Sequence, residues 1–113
     1  MKISLEQARE KHPVPSTTIW EYDLPSEVLS FAKAHINGRY PESGRVMNSG
    51  CEEIYYVNHG SGIVHSEFGD YEIKEGDLYH FKKGEKYWTE GHNLELILAN
   101  SPKWTPEQAK SVE

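Results

Sequence analysis

Residues 49 to 62, SGCEEIYYVNHGSG, decide the fold. Ile54, Tyr55, Tyr56 and Val57 are β-branched or aromatic and follow an acidic pair, Glu52 and Glu53. Such a run reads as a strand, and the glycines at 60 and 62 read as a tight turn after it. Working downstream, GSGIVHSE is a second strand, and Phe68-Gly69-Asp70 turns again. YEI, LYHF, KYWTE and NLELILANS follow, divided by the turns KEGD and KKGE. Upstream, TTIWEYDL is β-branched and aromatic. EVLSFAKAHI alternates with Val28, Ser30, Ala32, Ala34 and Ile36 on one face, and Asn37-Gly38 closes it as a turn. Many short strands at even spacing with glycine turns predict an all-β sandwich or barrel.

The ends read differently. SLEQAREK, residues 4 to 11, predicts a short helix opened by Ser4 with Gln7 at the capping-box position and stopped by His12-Pro13-Val14-Pro15. TPEQAKSVE predicts a second short helix or tail, with Thr105 as N-cap and Pro106 at the first helical position. The expected organisation is an extension over 1–16, one barrel over 17–102 and a short tail over 103–113.

Bulk properties narrow the function. A chain of 113 residues with net charge -6 is one acidic domain, without the basic footprint that nucleic acid or an anionic membrane requires. No apolar run approaches a membrane span, and MKISLEQARE lacks the apolar core of a signal peptide. One cysteine, Cys51, forms no internal disulfide framework. The expectation is a cytoplasmic protein with a small-molecule partner. Exposed barrel edges suggest a homodimer, since pairing is one way to protect an edge.

Two spacings carry a resemblance. Glu53, six residues and Gly60 match the tail of the first cupin motif, Gly-x5-His-x-His-x3/4-Glu-x6-Gly. Gly76, five residues, Lys82, Gly84 and Tyr87 match the frame of the second, Gly-x5-Pro-x-Gly-x2-His-x3-Asn. The chain resembles a small single-domain cupin, which implies a double-stranded β-helix, the small jelly-roll barrel. It departs from the pattern at the family's metal ligands. The two histidines of the first motif fall at Met47 and Ser49, or at Val46 and Asn48 if the spacing is one longer. The third falls at Tyr87, and the asparagine of the second motif falls at Gly91. Of the four ligand positions, only Glu53 is kept.

Strand alternation across this region puts Met47, Ser49, Cys51, Glu53 and Tyr55 on one face, which would line the pocket. Glu53 and Tyr87 are the candidate catalytic pair. A carboxylate in a low-dielectric pocket has a raised pKa and serves as general acid or base, and a phenol donates to a substrate oxygen. Cys51 reads more simply as a small buried apolar residue. His65 and His80 lie on strands within reach of the pocket, though a structural role suits each as well. Trp88, beside Tyr87, should face the other way. The expected function is a small-molecule-binding cupin with a metal-independent pocket and no cofactor, moving a proton on a sugar or small carboxylic acid. The competing readings are a metalloenzyme with irregular ligands drawn from Glu53, Cys51, Tyr87 and His65, and a non-catalytic ligand-sensing module.

Overall fold

The computed structural model describes residues 1–113. Nine strands form the molecule: β1 (Arg9–Val14), β2 (Thr17–Tyr22), β3 (Ser30–Tyr40), β4 (Arg45–Asn48), β5 (Glu52–Ser66), β6 (Gly69–Lys74), β7 (Leu78–Phe81), β8 (Tyr87–Ser101) and β9 (Ala109–Val112). They run β1-β2-β3-β8-β4-β9, and β5 adds to β8 while also holding β6 and β7. The result is the cupin double-stranded β-helix.

Two expected strand pairs are single strands. β5 and β8 each continue for 15 residues through what the sequence presents as turns. The reason is their mutual pairing, from Glu52↔Ser101 to Ser66↔Tyr87, with the register slipping at Val57/His59 and His59/Ser61. Bulges bend a paired strand without ending it. One half of β5 pairs with β7 and the other with β6, so one strand serves both faces of the barrel. Glycine makes the bend. Gly91 faces Gly62 on β5 and Gly38 on β3, so three glycines cross three neighbouring strands. A side chain at Gly91 would meet the Ile36 carbonyl oxygen and stand 2.8 Å from Ile36 Cγ2.

The terminal segments correct the helix expectation. The Ser4 amide does donate to Gln7 Oε1 at 2.7 Å, but the helix is one 3-10 turn, Leu5–Gln7. Residues 9–14 form β1 against β2 instead, with Arg9, Glu10, Lys11 and Val14 in register. Arg9 and Lys11 reach Glu21 at 3.5 and 3.0 Å, and the Trp20 indole donates to Glu10 at 3.2 Å. Pro13 is tolerated because β1 is an edge strand. The tail likewise makes one 3-10 turn, Pro106–Gln108, and then β9, which pairs with β4 from Arg45↔Val112 to Asn48↔Ala109. Each terminal segment thus adds a strand to the same sheet.

The core follows from alternation. Ala34, Ile36, Tyr55, Val57, Val64, Ile73, Phe81, Leu94 and Leu96 are all buried. An aromatic cluster anchors it, with Phe81 at 4.7 Å from Tyr55 and 4.1 Å from Tyr87 between ring centroids. The core packs part of the barrel interior, and a cavity occupies the rest.

Candidate functional site

A cavity of about 430 Å³ opens into the barrel. Its apolar walls include Ile19, Ala32, Ala34, Ile36, Val46 and Leu98. The polar interior groups are Tyr40 of β3, Asn48 of β4, Glu53 and Tyr55 of β5, and Tyr87 and Asn100 of β8. At the rim stand Arg9, Lys11, Glu21, Asp23 and Lys103, with the aromatic rings of Tyr22, Phe31 and Trp104. The volume falls in the range of small-molecule pockets, which pair apolar walls with a few placed polar groups.

Glu53 is the electrostatic centre, with only 7% of its surface exposed. Asn48 Nδ2 donates to its Oε1 at 3.0 Å and Asn100 Nδ2 donates to the same oxygen at 2.8 Å. Burial pushes the carboxyl up to about 7, against the lowering pull of the two amides. Desolvation disfavours the charged form, and the amide donors favour it but do not outweigh burial. Tyr87 and Tyr40 are raised by burial first and by the Glu53 charge next, so their phenols stay protonated near neutral pH. Tyr55 is raised for the same reasons and shares a hydrogen bond of 3.1 Å with the Thr89 hydroxyl. The interior therefore offers hydroxyl donors around one carboxyl that titrates near neutrality.

This carboxyl makes stability pH-dependent. Its folded pKa lies above the unfolded value, so its contribution is present in full below about 4.5 and is lost as pH rises through about 7. The lost contribution is about 3 kcal/mol. Urea midpoints should show the Glu53→Gln variant gaining on the wild type by about that amount between pH 4 and pH 8. A constant gap would mean that the carboxyl is not destabilised by burial.

The sequence-expected residues are only partly gathered. Glu53, Tyr55 and Tyr87 meet in the cavity. Met47 and Ser49 do not, because the chain bends over 49–51 between β4 and β5 and breaks the alternation. Val46 and Asn48 are the inward residues of β4, the longer of the two motif spacings. Cys51 is buried beside the cavity, its Sγ accepting from Asn100 Nδ2 at 3.4 Å, and lies outside the lining. His65 and His80 point away from the barrel. His80 pairs with Glu52 at 2.6 Å in solvent. His65 is held by Asp70 at 2.9 Å and Glu90 at 3.2 Å and stacks on Trp88 at 3.8 Å. Trp88 faces outward as expected, with the Arg39 guanidinium 3.9 Å from its ring centre.

Asn48 enters the sequence reading only as the alternative position of a lost histidine, and Asn100, Tyr40 and Trp104 are not among its candidate site residues. Asn100 had a signal: it continues the inward series Leu94, Leu96, Leu98 with an amide. The resemblance places a metal here, and the residues do not fit one. Val46 brings no donor, the Asn48 amide is committed to Trp104 and Glu53, and the Tyr87 phenol is held protonated. Nowhere does the structure gather three or more His, Cys, Asp or Glu side chains that could hold an ion.

Fold and cavity together define a cupin-fold barrel with an interior cavity of small-molecule size. Solved structures agree on the fold. Streptomyces PAC13 with uridine superposes with a TM-score of 0.90 at 14% identity, over 100% of this chain and 90% of that one. PAC13 is described as a nucleoside dehydratase. KdgF from Halomonas sp. gives a TM-score of 0.71 at 14% identity, over 88% of this chain and 92% of that one. Bacillus subtilis oxalate decarboxylase gives 0.82 at 18% identity over 96% of this chain, which spans only 31% of the decarboxylase. At such identities the likeness is one of fold. No family model and no curated protein matches the sequence.

Proposed function

We propose that the barrel binds a neutral, hydroxyl-bearing small molecule of sugar or nucleoside size and moves a proton on it without a metal. The observation that carries this reading is Glu53, buried, titrating near 7, with both amide donors on Oε1. That arrangement leaves Oε2 to take a proton from the ligand and return it, and an ideal catalytic pKa lies near the working pH. Tyr87 and Tyr40 would donate to ligand oxygens. A carboxylic acid suits the interior less well, because its charge would sit against Glu53. The rings of Tyr22, Phe31 and Trp104 at the rim suit the flat face of a base or the apolar face of a sugar. That a fold neighbour holds uridine supports a ligand of this class.

The test is a thermal-shift screen of nucleosides and free sugars, followed by incubation of each stabilising compound in D2O. Stabilisation by a sugar-bearing compound that then gains deuterium or loses water is the expected result. Stabilising compounds recovered unaltered and undeuterated would replace catalysis with ligand sensing.

A further inference from the structure

The residues after β8 form a strap across the cavity, contributing Lys103, Trp104, Thr105, Pro106 and Ala109 to its lining. The strap is tied down at several points. The Trp104 amide donates to Ser30 Oγ at 3.1 Å, Gln108 Nε2 donates to the Lys103 carbonyl at 3.0 Å, and β9 pairs with β4. One contact goes further inward: Trp104 Nε1 donates to Asn48 Oδ1 at 2.9 Å.

An indole N–H only donates, so it must face the amide oxygen of Asn48. That fixes which end of the amide turns the other way. Asn48 Nδ2 is left to donate to Glu53 Oε1 at 3.0 Å. Without the indole, only the ionised carboxylate would still favour the amide nitrogen; once Glu53 is protonated, the amide is free to turn its oxygen to the carboxyl and accept from it, which favours the neutral form. Asn100, the other donor on Oε1, touches Cys51 and Glu53 and not the strap. The strap therefore controls one of the two donors and not the other.

We propose that Trp104 is a positioning residue for the Glu53 carboxyl, acting through Asn48. This rests on the reading of Glu53 as the proton carrier of the site. It makes the C-terminal strap part of the chemistry and not only a wall of the cavity.

The titration of Glu53, followed by carbon-13 NMR of its side-chain carboxyl, tests the proposal without a ligand. The titratable groups facing Glu53 are Tyr40 on β3, Cys51, Tyr55 on β5 and Tyr87 on β8, and all four are raised, so none ionises across the range that matters. Trp104→Phe keeps the aromatic packing and removes the N–H. Its carboxyl midpoint should rise by about half a unit to one unit as Asn48 loses its orientation. Asn48→Ala should give a rise at least as large. The double variant should rise no further than Asn48→Ala alone, because Trp104 works only through that amide. Gln108→Ala loosens the strap at Lys103 without touching the indole and should leave the midpoint in place. Equal midpoints in the wild type and Trp104→Phe, or shifts that add in the double variant, would overturn the positioning role. So would a shift in Gln108→Ala matching that of Trp104→Phe, since loosening of the strap would then explain both. A wild-type midpoint in the ordinary carboxyl range would instead sink the acid–base reading of Glu53, with the difference between variants still readable.

Discussion

Replacing Glu53 with glutamine should lower turnover of the ligand found by screening by about a thousandfold, in a barrel that is no less stable at pH 8. Proton transfer by a positioned side chain is worth roughly a hundred- to ten-thousandfold, and an amide cannot exchange protons in this way. The substitution is nearly isosteric, and the glutamine oxygen can still accept from Asn48 and Asn100, which both use Oε1. It also removes a charge whose burial is unfavourable, since the carboxyl titrates near 7 in the folded protein. Initial rates and thermal melts on the same preparation check both halves. Unchanged turnover would exclude Glu53 as the acid or base. Lost turnover together with a melting point far below that of the wild type would mean that its role is structural.

Gly91→Ala should cost about 3 kcal/mol, a fall in melting temperature of roughly 15 °C. Gly91 has no positive φ, so its demand is for space alone. It sits between Gly38 and Gly62, and a methyl group there would run into the backbone of Ile36. Either β3 must move away or the bend in β8 must open. Gly76 makes the contrast. Its φ is +87° and nothing lies within 4 Å of an added Cβ, so Gly76→Ala should cost about 1 kcal/mol from backbone strain only. Melts of the two variants measure the difference. If Gly91→Ala costs no more than Gly76→Ala, the close approach at the bend is not what shapes the barrel.

Much of this was legible in the chain itself. Alternating apolar residues and glycine turns specified an all-β sandwich or barrel, and the cupin resemblance carried by the spacings Glu53 to Gly60 and Gly76 to Tyr87 pointed to the barrel. Glu53 and Tyr87 were identified from their motif positions, and both lie in the cavity. The N-terminal helix was misread because Ser4 and Gln7 are a real cap, but one hydrogen-bonded turn is a weak nucleus. The pairing of β1 with β2 gives Arg9, Glu10, Lys11 and Val14 a ladder, and that outweighs local propensity.

The inward face of 46–49 depended on a chain bend that alternation alone does not reveal. Two spacings to Glu53 were open in the sequence, one placing Met47 and Ser49 inside and the other Val46 and Asn48. The tertiary structure selected the second, because β4 is held in register by β9, more than sixty residues away along the chain. A separation of 56 residues hides Trp104. Nothing near it in sequence marks it as part of a site, and only the return of the tail across the cavity brings its indole to Asn48. Local pattern, which depends on neighbours a few residues apart, determined most of the strands, the fold class and the carboxyl. Contacts between distant segments, which no local pattern encodes, decided what surrounds that carboxyl and in which orientation.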